Sequence, residues 1–286
     1  MKYQFIEDQR DTYAVRMLCG VLEVSASGYY AWRGRSPSQR DQLDAQLTSQ
    51  IVEIFETSRG TYGRHRVRAE LVERGHECGH NRVGRLMRQA QLVARGRRMR
   101  RPRTTRSDHS LPVAPNLLDR DFSATAPNQK WLADITYIPT TDGWLYLAVV
   151  LDVFSRKIVG WSMQQRLTTP LVADALQDAL ARRSLADPLI HHSDRGSQYA
   201  SAAYQSLLHQ HDLLCSMSRP ANCYDNAMME SFFATLKAEL PVTVFPSRDD
   251  ARYHIFEFIE VWYNRQRRHS ALDYLSPDTF EQQYCL

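Results

Sequence analysis

Apolar positions change their spacing along this 286-residue chain. Val15, Leu18 and Leu22 share one helical face, and Ser25 precedes Tyr29, Tyr30 and Trp32. That pattern predicts two short helices joined by a turn, with Ser25 capping the second. Over residues 39–58, Leu43, Leu47, Ile51, Ile54 and Phe55 keep helical spacing. Gly60 and Gly63 mark a turn, Val67 and Leu71 a further helix, and Asn81 the expected cap of one carrying Val83, Leu86 and Met87. From Gln129 onward the words WLADITYIP, WLYLAVVLDVF and KIVGWSM are β-rich and closely spaced, as antiparallel strands are. A helix over 168–183, a strand in PLIHHSD, a helix over 199–211, a strand at 214–218 and a helix over 226–240 follow. Strand, strand, strand, helix, strand, helix, strand, helix is a mixed α/β order. Residues 249–268 predict one long helix with Ile255, Phe258, Ile259 and Trp262 inward.

Charge adds a division of labour. The formal net charge is only +4. Residues 59–106 nevertheless hold fifteen Arg, three Glu and no Lys, a local +12 that leaves −8 for the remainder. So concentrated a basic block is the footprint of a polyanion-binding surface, usually for nucleic acid. Arg64, Arg66, Arg68, Arg82, Arg85 and Arg88 are its expected phosphate contacts within the helices. Seven further Arg fall within residues 95–106, among them Arg97, Arg98, Arg100 and Arg101, and read as an extended basic linker running to about residue 125. No stretch is apolar enough for a membrane span or a secretory signal. Five scattered Cys without a CxxC pair suit reduced thiols and a cytoplasmic setting. His76, Cys78 and His80 lack a fourth partner for a zinc site.

Three acids sit among residues unlike themselves. Asp134 interrupts a strand built from Trp131, Leu132, Ile135, Tyr137 and Ile138; Asp194 closes the apolar LIHHSD word; Glu230 lies between Met228, Met229, Phe232 and Phe233. Hard divalent cations take oxygen ligands, and a few carboxylates gathered by adjacent strand ends and a nearby helix suffice to hold Mg²⁺. Two such ions activate an attacking hydroxyl and stabilise a leaving oxygen in phosphodiester chemistry.

The words WLADITYI, LDVFSRKIVGW, HHSDRGSQY and NCYDNAMMESFFATLK closely resemble the catalytic-core motifs of DDE transposases and retroviral-type integrases. The match is to the second-reading-frame product (OrfB) of bacterial insertion sequences of the IS-three type, and it extends to SRGTYGRHRV and WYNRQRRHSALDYLSP. The resemblance implies an RNase H-like integrase catalytic core, a mixed five-stranded sheet with helices, preceded by an α-helical, helix-turn-helix-like DNA-binding region. It assigns Asp134, Asp194 and Glu230 as catalytic metal ligands for two Mg²⁺ ions, with Mn²⁺ as a substitute. It also implies that Lys237, seven positions after the Glu and on the same helical face, contacts DNA. His192 and Asn226 are expected to support the site; Asp152 is expected to be structural. The implied activity is cleavage and strand transfer at element ends, by copy-out and paste-in. Expected partners are DNA, further copies on DNA, and a first-frame protein or frameshift fusion, because the chain shows no leucine heptads of its own.

The expected organisation is a helix-turn-helix-like segment over 1–38, an arginine-rich helical DNA-binding domain over 39–94, a basic linker over 95–125, the catalytic core over 126–240 and a helical extension over 241–286. Two rival readings share these features: an RNase H-like nuclease that cleaves without joining, and a non-catalytic DNA-binding regulator.

Overall fold

The computed structural model describes residues 1–95, 111–185, 188–219 and 226–284. Arg97, Arg98, Arg100 and Arg101 lie outside these residues. Three short helices, α1 (Lys2–Gln9), α2 (Val15–Val21) and α3 (Ala26–Arg33), enclose their own small cluster of Ile6, Leu18, Cys19 and Tyr29. Ser25 caps α3, its hydroxyl accepting from the Gly28 N–H at 3.0 Å. The first helix was not expected, because Ile6 is its one buried residue and supplies no period.

Helices α4 (Gln39–Thr57), α5 (Arg64–Glu73) and α6 (His80–Gln89) pack through Leu47, Ile51, Ile54, Val67, Leu71, Val83 and Leu86. A reciprocal capping box between Ser38 and Asp41 starts α4. Asn81 does not cap α6: the helix begins one residue earlier, and Gly79 holds the extended N-cap conformation without a side-chain bond.

The mixed sheet follows as β1 (Lys130–Thr140), β2 (Gly143–Asp152), β3 (Ile158–Gln164), α7 (Thr169–Arg182), β4 (Ile190–Ser193), α8 (Ala202–Gln210), β5 (Leu214–Met217) and α9 (Ala227–Glu239). Strand order is β3-β2-β1-β4-β5, with β2 antiparallel to β1 and β3, and β4 parallel to β1 and β5. The β1–β2 hairpin closes through Gly143 at φ +102°, a conformation that a side chain would strain. In β3, a Cβ on Gly160 would lie 2.3 Å from the Ala175 carbonyl, so glycine is what lets α7 press onto the sheet.

Both faces of the sheet are covered, which is why its strands read as nearly continuous apolar runs. Leu132, Ile138, Leu145, Leu147 and Val149 face α9 and join one core that continues into α4–α6. Trp131, Ala133, Ala148 and Val150 face α7 and α8. Asp152 ends β2 as a turn anchor, accepting from the N–H groups of Asn128, Phe154 and Ser155 and from the Trp131 indole.

Two expectations need correction. The long helix over 249–268 is instead α10 (Arg248–Phe256), then a π-helical stretch, Glu257–Tyr263. Phe258, Ile259, Trp262 and Tyr263 of this stretch are all buried in the core. The described part of the expected linker, 111–125, is not free chain. The Leu117 N–H donates to Ser216 Oγ at 2.9 Å, the Met217 N–H to the Pro115 carbonyl at 3.3 Å, and Leu118 is buried in the core. It therefore lies along β5.

The C-terminal word acts as a clamp. Asn264 accepts from the Ile158 N–H and donates to its carbonyl, both at 2.9 Å. Arg267 makes a buried two-pronged pair with Glu239, whose carboxylate also accepts from the Trp262 indole at 2.9 Å. Arg268 reaches Glu70 on α5 at 2.6 Å, while its N–H donates to Tyr62 Oη at 2.8 Å. Helix α11 (Pro277–Tyr284) sends Glu281 to Arg183 and Ser155.

Candidate active site

Strand β1 is the middle of the sheet, and Asp134 is the residue after its last pairing with β4. The parallel register runs Leu132 to His192 and Ala133 to Ser193, so Asp194 emerges beside Asp134 where β4 ends. Alternation puts Asp134 on the same face as Leu132, the face that α9 covers. Glu230 occupies the first turn of α9. Topology thus brings three acids far apart in sequence to one corner.

Electrostatics record that meeting. Burial, then the Asp194 charge and, more weakly, that of Glu230 hold the Asp134 carboxyl well above the ordinary carboxylate range. Two hydrogen bonds oppose the rise: the Ile135 N–H donates to Asp134 Oδ1 and Asn226 Nδ2 to Oδ2, each at 2.7 Å. Asp194 Oδ1 accepts from the Gly196 N–H at 2.9 Å, in a turn where a Cβ on Gly196 would approach that same oxygen to 3.0 Å.

Asn226 stands at the N-cap of α9 but makes no side-chain bond to its own helix. Its amide goes to Asp134 instead, tying the start of α9 to β1, and its buried Oδ1 has no partner among the described residues. His192 is buried within the sheet, with Nδ1 2.8 Å from Ser216 Oγ and Nε2 3.1 Å from Ser218 Oγ. These contacts join the end of β4 to β5 and the residue after it. His191 packs against Tyr204, and burial drives its pKa down to about 3, so the ring is neutral.

Lys237, two turns beyond Glu230 on α9, places Nζ 4.9 Å over the Tyr137 ring. Burial lowers its pKa, while the nearby Asp134 charge works in the opposite direction. Two tyrosines were missed as members of this corner. Tyr137 supplies that ring, and Tyr199 has a buried hydroxyl, without a partner among the described residues, that feels both Asp134 and Asp194. Both lie inside the quoted words, and Tyr199 is five residues from Asp194.

The six helical arginines are distributed rather than convergent. Arg82 and Arg85 both reach Asp44, at 2.7 and 2.6 Å. Arg66 donates to the Arg268 carbonyl at 2.9 Å, Arg68 to the Cys78 carbonyl at 2.8 Å, and Arg88 to the Gly84 carbonyl at 3.2 Å. Arg64 lies 3.3 Å from the His65 ring.

The donor set fits a hard cation. It consists of carboxylate oxygens and one buried amide oxygen lacking a partner, the chemistry Mg²⁺ prefers. Among the described residues, no three His, Cys, Asp or Glu side chains close into a finished cage.

Comparison with known proteins settles the family. An integrase core domain matches residues 124–223, a second integrase core domain 211–277, and an HTH-like domain 42–101. The chain is 48% identical over 268 residues to an uncharacterized 31 kDa protein of insertion element IS600 from Shigella sonnei, spanning 93% of this chain and 98% of that protein. It is 45% identical over 284 residues to transposase InsF for insertion sequence IS3A from Escherichia coli strain K12, spanning 98% of each. This chain belongs to the IS3 family of transposases. Among solved structures, a simian T-cell lymphotropic virus intasome in complex with PP2A regulatory subunit B56 gamma aligns at TM-score 0.46 and 17% identity, over 75% of this chain and 70% of that one.

The transposase therefore joins an HTH-like domain to an integrase core built on a mixed five-stranded sheet. The HTH-like match falls on the region of α4–α6, not on residues 1–38, where the helical hairpin suggested one. Among the described residues no helix is long and apolar enough to cross a membrane.

Proposed function

We propose that this transposase cleaves and joins DNA strands at insertion-sequence ends with Asp134, Asp194 and Glu230 as its metal-holding triad. One observation carries the reading: Asp134, buried beside Asp194 and within the field of Glu230, has its carboxyl held well above the normal range. Acids are gathered against their own repulsion where a cation is to be held. A pair of Mg²⁺ ions, or Mn²⁺ in their place, supplies an activated attacking oxygen and relief for the leaving oxygen.

The protein's own residues prepare that position. Asn226 and the Ile135 N–H fix both oxygens of Asp134, so one lone-pair direction of each stays available. The Gly196 turn fixes Asp194. Lys237, held over Tyr137, would neutralise a phosphate beside the triad. Arg68 and Arg88, whose side chains donate to backbone carbonyls, would offer their charge to the DNA backbone, and Arg66 would add to it from beside the Tyr62 ring. Residues 39–94 would then grip and 126–240 react, with Arg97, Arg98, Arg100 and Arg101 adding sequence-independent affinity. Self-association on DNA and pairing with a first-frame product or fusion complete the proposed assembly.

The test is Asp194→Asn. Strand transfer on an element-end duplex with Mg²⁺ should fall at least about 10³-fold, while DNA binding stays within about twofold. Strand transfer at the parent rate sinks the assignment. Cleaved but never joined products from the parent enzyme would favour a hydrolytic nuclease.

A further inference from the structure

Beyond the triad, β1 and β2 carry an aromatic feature that the chemistry above does not use. Trp144 opens β2 opposite Pro139 and remains 48% exposed, unusual for a tryptophan on a paired strand. Its ring meets Tyr137 edge to face, with centroids 4.8 Å apart and planes at 82°. That contact fixes the indole without stacking the two rings face on face. Lys237 covers Tyr137 from the triad side. On the other side Arg248 donates from Nε to the Trp144 carbonyl at 3.3 Å, and its guanidinium lies against Gly143.

Contacts thus run from Lys237, which lies within the field of Asp134, through Tyr137 to Trp144 and Arg248; Tyr137 and Trp144 alternate onto the sheet face opposite Asp134, and Lys237 links the two faces past the end of β4. Tyr137 is three residues beyond Asp134 on the same strand, and Trp144 pairs two residues further on. At about 3.4 Å per strand residue, these positions lie roughly 10 and 17 Å from Asp134. A DNA strand at about 3.4 Å per nucleotide covers that distance in roughly three to five nucleotides. Beyond Ala133, β1 has lost β4 as a neighbour, which leaves Lys237 room to reach across to Tyr137.

From this arrangement, and resting on the transposase reading, we infer that Trp144 is a stacking platform for an unpaired nucleobase a few nucleotides from the scissile phosphate, with Lys237 and Arg248 holding the adjoining phosphates. A half-uncovered indole with one cation bonded to its own backbone carbonyl and another over the neighbouring ring has the composition of single-strand binding surfaces. A single exposed ring is far too small for a stable protein interface, which buries on the order of 1,000 Å² or more. Bases inside a duplex have no free face to offer, so the occupant is a base released from pairing. The consequence is that the enzyme opens the duplex next to the site where it cuts.

Binding tests this without catalysis. Full-length protein, without divalent metal, is titrated with a blunt duplex and with the same duplex bearing a short unpaired overhang, a fluorescent adenine analogue marking the overhang. Trp144→Ala should weaken overhang binding roughly 5- to 100-fold and abolish quenching of the analogue. Blunt-duplex binding should change less than about twofold, and Trp144→Phe should restore most of the loss. The slope of affinity against salt should stay unchanged in both variants, because no phosphate contact is removed. Equal losses on both duplexes, or unchanged overhang binding by Trp144→Ala, would overturn the platform and leave the triad standing. A parent protein that binds neither duplex overturns the transposase reading and the platform with it.

Discussion

The arginine-rich helices and the carboxylate corner treat charge in opposite ways. In α4–α6 the fold supplies acceptors: Asp44 takes both Arg82 and Arg85, and backbone carbonyls take Arg66, Arg68 and Arg88. At the centre of the sheet it adds negative charge to negative charge, and among the described residues Asp134 accepts from the Asn226 amide and one backbone N–H. A dense run of charge in sequence need not mark the place of highest electrostatic tension. Arg82 and Arg85 with Asp44 amount to one net positive charge, and much of their work is to hold α6 to α4. The lesson is that uncompensated charge, rather than abundant charge, distinguishes the reactive region.

The largest break in that comparison comes from a pair the fold compensates completely. Arg267 and Glu239 are both buried, joined by contacts of 2.7 to 3.1 Å, and Trp262 completes the carboxylate's coordination. Arg267→Ala leaves Glu239 charged and deprived of its main partner. Equilibrium denaturation should show about 3–5 kcal/mol of lost stability, the usual cost of breaking a buried pair from one side. A loss below about 1 kcal/mol would mean that the pair behaves like a surface contact and that compensation in the core counts for little.

Residue-level signals made part of this architecture readable. WLADITYIP and PLIHHSD were legible as strands because their apolar residues are continuous, and Asp134 and Asp194 stood out because acids interrupt those runs. The partners of the arginines were not legible. Asp44 precedes Arg82 by 38 positions and occupies an ordinary helix face, so only the packed α4–α6 unit reveals their meeting. Arg268 and Tyr62 join through 206 positions of sequence. The π-helical turn was hidden because Phe258, Ile259, Trp262 and Tyr263 also fit one side of a regular helix, so their spacing carries no sign of the wider turn. Trp144 stood in the sequence only as the first letter of the WLYLAVVLDVF strand, and its exposure depends on where the hairpin ends.

A smaller effect sharpens the uncompensated side. Asp134→Asn replaces an acid that burial and Asp194 already push toward its neutral form. A carboxyl with a raised folded-state pKa weakens the fold as pH rises through its unfolded value, and the cost is complete above the folded one. At neutral pH the asparagine variant should therefore be more stable than the metal-free parent, by about 0.5–2 kcal/mol, a common gain when strain at a functional site is removed. Added Mg²⁺ should raise the parent's Tm in a concentration-dependent way and leave the variant's unchanged. A destabilised variant with parental Mg²⁺ response would place the tension elsewhere.

The smallest effect belongs to the compensated helices. Hydrogen bonds from Arg85 and then Arg82 hold the Asp44 carboxyl below its usual range. A depressed folded-state pKa gives stability that is present above the unfolded value, about pH 4, and is lost as pH falls through the lower folded value. Asp44→Asn should thus cost most at neutral pH, and the gap between parent and variant should close on acidification below about pH 4. Comparing Tm across that range, with high salt as a second axis, separates charge from shape: screening should shrink the gap if the two guanidinium contacts act through charge. A gap that persists unchanged in acid and in salt would mean that Asp44 holds α6 by packing alone. Arg82 and Arg85 would then have their full charge to offer DNA.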